Sequence, residues 1–199
     1  MQTERHAAKR EEILGVTWRL IARDGLRAAN MRNLAAAAGY ANGALAYYFS
    51  SKEDLLRAAF VHVFERTERR IAEATQGTRG LTAIRITCRE ILPEDEDKLL
   101  EARIVLPFWA EAAQDEACAD LHERSMQSWR TKLRRHLREA AQLHEVRELG
   151  GKQVSVAVEQ LMTMLMGAQV MGVLAPALHG PRLLNTMVDR FLESLQRVP

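Results

Sequence analysis

The chain has 199 residues, 47% of them hydrophobic, and its five prolines and eleven glycines leave long uninterrupted stretches. No window alternates branched and polar residues beyond a few positions, which excludes a β fold and predicts an all-α protein with room for a small module and one larger domain. The net charge of +2 is unevenly placed: residues 1–52 carry eight basic and four acidic side chains, and the other 147 carry 20 and 22. A basic N-terminal part on a slightly acidic body suits contact with nucleic acid by one part only.

The first predicted helix runs from about Glu4 to Arg23, with Ile13, Val16, Thr17 and Leu20 as its apolar stripe. Arg5, Lys9 and Arg10 at its start either reach phosphates or sit as solvated helix-end charges. Asn30 to Phe49, NMRNLAAAAGYANGALAYYF, then reads as two short helices joined by a tight turn. Leu34, Ala35 and Ala38 form a stripe at helical spacing, and small Ala35 lets a second helix approach closely. Gly39 stands where a sharp stop wants positive φ, and Tyr40 plugs the corner. The second helix, Ala41 to Tyr48, turns Leu45 inward. A helix-turn-helix lays its second helix in the major groove of DNA while the first crosses the backbone. That places Asn30, Arg32, Asn42, Ala44, Tyr47, Tyr48 and Lys52 at the DNA. Asn42 and Tyr47 are the expected base readers, and Tyr48 and Lys52 the expected phosphate contacts.

Ser51 is the expected N-cap of a helix continuing to about Ala74, with Asp54 completing a near capping box. Its apolar face carries Leu55, Leu56, Ala59, Phe60, Val63 and Phe64. Gln76 to Gly80 is a loop, expected to mark a boundary between the connecting helix and the body. A short helix over 81–92 stops at Pro93. The acidic run Glu94 to Asp97 suits the first turn of the next helix better than a metal site, because neighbouring acids point round a helix in all directions. That helix reaches about Ala113, with a kink expected at Pro107. Glu116 to Leu143 is another, with Met126, Trp129, Leu133, Leu137 and Ala140 on one face and a solvated basic face opposite. Val154 to Leu178 has Glu159 as its only charge. Its length raises the question of a membrane span, but Ser155, Gln160, Thr163 and Gln169 fit a helix between its own core and a partner chain. A last helix, Arg182 to Arg197, is expected to turn Leu183, Leu184, Met187, Val188, Phe191, Leu192 and Leu195 inward. Two helices too apolar for one chain to cover imply a homodimer, which glutamate at Val170 or Leu184 is expected to split.

The run G-L-x-x-x-x-M-R-x-L-A-x-A-A-G, the ending Y-Y-F and the start S-K-E-D-L-L occur in that order over residues 8–60. The chain thereby resembles the TetR family of bacterial repressors. Glu101 to Trp109 (EARIVLPFW), Asp115 and the helix around Trp129 resemble the choline-responsive betaine-synthesis repressor (BetI) subgroup. Ala41, Ala44 and Ala46 depart from the family pattern, since Ala41 replaces a capping Ser or Thr. The resemblance implies a three-helix DNA-binding domain over 1–50 and a helical ligand-binding and dimerisation domain over 51–199, with 51–74 connecting them. It also implies a cytoplasmic repressor that leaves its double-stranded operator when a small-molecule effector binds.

Candidate effector contacts are Glu101, Phe108, Trp109, Met126, Trp129, Met162, Met166 and Gln169. Aromatic rings with a carboxylate suit a quaternary ammonium group, although such stripes also simply fill cores. No cofactor, metal or enzyme activity is expected. GxSxG, the phosphate-binding loop, HExxH and the nucleotide fingerprint do not occur, and the histidines have no ligand spacing. Cys88 and Cys118 point to buried, reduced thiols, and the charged start has no apolar leader segment. The alternative reading is an all-helical binding or scaffold protein without sequence-specific DNA binding, kept open by a recognition helix thin in polar side chains.

Overall fold

Asn30 starts the helix-turn-helix as its sequence position requires, because its side chain accepts the Asn33 amide at 2.9 Å and satisfies one of the first-turn donors. The fold comes from a computed structural model that describes residues 2–24, 30–40 and 44–196. These form α1 (Gln2–Asp24), α2 (Met31–Ala37), a 3-10 turn (Ala44–Tyr47), α3 (Lys52–Ala74), α4 (Gly80–Ile91), α5 (Glu96–Ala112), α6 (Glu116–Gln142), α7 (Gly151–Leu174) and α8 (Pro181–Leu195). No strand occurs among the described residues. The protein is all-α.

Most helix boundaries follow local chemistry. The Asp54 amide donates to Ser51 Oγ at 3.1 Å, so Ser51 caps α3. Asp54 answers by accepting from the Ser50 amide and hydroxyl, one residue earlier than a standard capping box. Asp95 accepts the Lys98 amide at 2.8 Å, which gives the acidic run its capping role. Pro107 lies inside α5. The expected second helix, Ala41 to Tyr48, is described only in its later part. Its described part is the single 3-10 turn Ala44–Tyr47, and residues 41–43 lie outside the described residues.

The chain divides into two compact units, Met1–Glu65 with Leu100–Ala119, and Arg66–Leu99 with Asp120–Pro199. The division runs within α3, α5 and α6. In the first unit Ile13, Leu14, Trp18, Leu34, Ala35, Leu45, Phe49, Leu55, Ala59 and Ile104 share one core. Phe108 and Phe60 stack nearby with ring centroids 3.9 Å apart. In the second unit Val154, Val158, Leu161 and Leu165 of α7 are buried, as are Leu184, Val188, Leu192 and Leu195 of α8. Length and composition alone would let α7 cross a membrane, but 44% of its apolar window is buried inside the protein. Cys88 and Cys118 are buried free thiols.

The expected inner face of α8 is split in two. Leu184, Val188, Leu192 and Leu195 are buried, whereas Leu183 and Met187 are exposed and Phe191 is half-buried. Seven apolar residues at spacings of three and four wrap more of the helix than one core can cover. Leu184 is therefore a core residue, and glutamate there would unfold the protomer and not merely split a dimer.

The start of α4 is capped from elsewhere in the second unit. Arg79 makes no side-chain cap bond. Instead the Leu81 amide donates to Glu145 Oε2 at 2.8 Å and the Gly80 amide to Glu139 Oε2 at 3.4 Å. Gly80 has φ +60°, which is strained for other residues, and a Cβ there would stand 2.1 Å from Glu145 Oε2 and push the capping carboxylate aside. Burial raises the Glu139 carboxyl, but hydrogen bonds from His136 and Gly80 and the charges of His136 and Arg135 outweigh it, and the group ends below its ordinary value. A depressed carboxylate contributes stability above its unfolded value and loses it as pH falls through the folded value. Glu139→Gln is accordingly expected to flatten the acid limb of the melting temperature below about pH 5. Melts of both proteins between pH 3 and pH 7 check this.

Candidate DNA-reading surface and effector residues

The described part of the connection after α2 is shaped by glycine and tyrosine. Gly39 has φ +74°, and the Tyr40 amide returns to Ala35 O at 2.8 Å. Leu34, Ala35, Leu45 and Phe49 are each 1% exposed or less, so the described part of the unit is pinned from inside. What it leaves outside is the candidate surface. Arg32 on α2 and Lys52 at the start of α3 are exposed, and Tyr47 keeps 72% of its surface in solvent. Asn30 is exposed with Oδ1 engaged in the cap, so the amide Nδ2 is the donor it can present to a phosphate. Ala44 opens the 3-10 turn. Asn42 lies outside the described residues.

Tyr48 is half-buried in a cluster of rings, with Tyr40 at 5.9 Å, Tyr47 at 5.1 Å and His6 at 5.1 Å between centroids. Burial first, then the neighbouring phenols, raises its hydroxyl above the ordinary tyrosine value. It stays protonated and able to donate.

Two charges at the start of α1 have roles the sequence did not reveal. Arg10 donates from Nη1 to Tyr48 O at 2.8 Å, and its guanidinium lies 4.5 Å from the Phe49 ring centroid. It holds the end of the reading turn, where phosphate contact had been one expectation. Lys9 pairs with Glu12 at 2.7 Å and sits over the Tyr40 ring at 5.7 Å. The side chain of Arg5 lies outside the described residues. His6 had no assigned role. Its spacing of three and four from Lys9 and Arg10 was the available signal, because it places all three on one face of α1.

The candidate effector residues divide between the units. Glu101, Phe108 and Trp109 belong to the first, and Met126, Trp129, Met162, Met166 and Gln169 to the second. Glu101 is a buried carboxylate, 5% exposed. Phe108 has no exposed surface, whereas Trp109 one position on is half-buried. Met126 and Met162 are buried, and Met166 is half-buried. Trp129 donates from Nε1 to Glu68 Oε1 at 2.8 Å, and Glu68 also accepts from Ser128 and Lys132. Gln169 donates from Nε2 to Ile91 O, and its buried Oε1 has no hydrogen-bond partner. An unmet buried acceptor normally marks a place where water or a ligand donor belongs.

A second surface lies between α7 and α8. Val156, Glu159, Gln160, Thr163, Met164, Met187 and Phe191 line an open apolar groove. Val156 and Met187 keep 58% and 40% of their surface exposed. Among the described residues no three His, Cys, Asp or Glu side chains gather as a metal site.

Comparison with known proteins covers both ends of the chain. Residues 80–197 match the family described as BetI-type transcriptional repressor, C-terminal, and residues 13–59 match the bacterial regulatory proteins, tetR family. Over 108 residues the chain is 32% identical to the HTH-type transcriptional regulator PksA of Bacillus subtilis (strain 168), covering 54% of this chain and 53% of that one. It is 25% identical over 108 residues to the HTH-type nicotine-responsive transcriptional repressor HdnoR of Paenarthrobacter nicotinovorans, covering 54% and 47%. The chain thus spans about half the length of the curated relatives it matches. A transcriptional regulator from Saccharomonospora viridis, solved in complex with choline, superposes with a TM-score of 0.83 at 19% identity, covering 94% of this chain and 96% of that one. A transcriptional regulator from Rhodococcus sp. Rha1 gives 0.80 at 23% identity, covering 96% and 99%. At these identities the structural likeness is one of fold.

Proposed function

The chain belongs to the TetR family of bacterial regulatory proteins and has a BetI-type repressor C-terminal domain, and from that premise we propose that it is a cytoplasmic, homodimeric transcriptional repressor. Residues 1–50 read a double-stranded operator. Residues 51–199 bind the effector and dimerise, with 51–74 as the connecting helix. The observation that carries the reading is the pinned helix-turn-helix with Arg32, Tyr47 and Lys52 all turned to solvent.

Two copies joined by α7 and α8 hold two reading heads at the spacing of successive major grooves or a multiple of it. In this reading Tyr47 and Asn42 meet base edges, Ala44 offers a methyl, and Asn30, Arg32, Tyr48 and Lys52 meet phosphates. Lys52→Ala is expected to weaken binding about equally on all sequences and to lower the slope of log affinity against log salt by about one unit. Binding isotherms at several salt concentrations measure it, and an unchanged slope removes Lys52 from the interface.

The effector we propose is a small molecule with a cationic nitrogen. Buried Glu101 and the half-buried Trp109, both in the first unit, support it. One relative is nicotine-responsive and one fold neighbour holds choline, both nitrogenous ligands. The effector releases DNA only through a difference in its affinity for the two states. Trp109→Ala is expected to leave operator affinity within about threefold and to blunt release. Melts with choline and with nicotine test the class. A wild type shifted by neither, nor by larger ammonium compounds, excludes a cationic effector.

A further inference from the structure

Tyr47 closes the described part of the reading element, and rings from outside that part lie against it. Ala44–Tyr47 is one 3-10 turn, closed by the Tyr48 and Phe49 amides donating to Leu45 O, each at 2.9 Å. The hydrogen-bond geometry of a 3-10 turn is poorer than that of an α-helix, so contacts from outside the turn bear on where Tyr47 points. The Tyr47 ring meets the imidazole of His6 edge-on, at 5.4 Å and 73°, and the Tyr48 ring at 5.1 Å and 89°. His6 also lies against Tyr48 at 5.1 Å. Tyr48 in turn packs on Tyr40, whose backbone is fixed to α2. One turn along α1, Arg10 grips the Tyr48 carbonyl. The first helix therefore holds the turn twice, by its backbone through Arg10 and by its rings through His6.

We propose that His6 is a positioning residue for DNA recognition: its ring buttresses Tyr47 from behind and sets the direction in which that exposed phenol meets base edges. The proposal rests on the DNA-reading function inferred above. Its physical content is preorganisation. A tyrosine free to swing must be ordered at the moment of binding, and that cost falls on the specific complex, in which the ring has one required place. Non-specific binding, which rests on phosphate charge, does not need the ring in one place.

The test uses the full-length protein and a duplex that the wild type selects from random-sequence DNA, with a shuffled duplex of the same composition as control. His6→Ala and His6→Gln are each expected to weaken binding to the selected duplex about three- to tenfold, with affinity for the shuffled duplex unchanged. His6→Phe keeps a ring and is expected to restore selected binding. His6→Lys is expected to strengthen both duplexes alike without restoring the difference. Melting midpoints within a few degrees of wild type show that the fold is kept. Wild-type discrimination by His6→Ala overturns the proposal, as does equal weakening on both duplexes that Lys restores and Phe does not, since His6 then acts by charge. A wild type that selects no sequence refutes DNA reading itself, and the role of His6 falls with it.

Discussion

Phe108→Ala is expected to lower the unfolding free energy by about 3–5 kcal/mol. The ring has no exposed surface and lies nearly parallel to Phe60 in the same unit, at 12° and 3.9 Å. Phe60 is itself 2% exposed and stacks on Phe64 at 6.4 Å. Truncation removes the transfer energy of the ring, breaks its stack on Phe60 and leaves a cavity beside that ring. A domain of ordinary stability has about 5–15 kcal/mol in all, so the variant sits near the edge of folding. Trp109→Ala, one position on and half-buried, is expected to cost clearly less. Urea unfolding of the two variants gives the comparison. A loss below about 1 kcal/mol at Phe108 would mean that its surroundings close up on deletion, and would return it to the lining of a yielding pocket.

Met187→Glu is expected to convert the protein to monomers and to cost at least about a hundredfold in operator affinity. The side chain is exposed on the protomer, beside Val156, Met164 and Phe191 in the groove between α7 and α8. A charge there is harmless to the isolated chain, because surface changes usually shift stability by no more than about 0.5 kcal/mol. In a two-fold seam the same patch meets itself, and each copy buries an unpaired carboxylate. Dissociation leaves each reading head to bind its half-site alone, without the effective concentration that the partner supplies. Leu184→Glu is the contrast, since that residue is 2% exposed and its variant is expected to unfold. Sedimentation equilibrium at micromolar concentration reads both. A Met187→Glu dimer with wild-type affinity would place the seam elsewhere.

The parts of the fold that were legible in the sequence are those fixed by local chemistry. Gly39, Ser51, Asp95 and Pro93 mark ends because each changes the backbone or its hydrogen bonds at one position. What was not legible depends on which of two neighbouring faces a residue takes. Phe108 and Trp109 are adjacent on one helix, about 100° apart, and composition cannot say which turns inward. The seven apolar residues of α8 read as one face because the sequence holds no mark where the core ends and open surface begins. The roles of Arg10 and His6 were hidden for a related reason. Their partners, Tyr48 and Tyr47, are roughly forty residues away, and periodicity along a helix carries no information about contacts at that distance.

Selection from random-sequence duplex DNA with the wild-type protein, followed by binding isotherms at fixed salt, tests sequence-specific recognition by a dimer most directly. The expected product is a consensus of two related half-sites, spaced by one helical turn or a multiple of it, that binds two chains cooperatively and at least about a thousandfold tighter than shuffled DNA. A pool that returns no consensus, or a consensus bound by single chains, would contradict it.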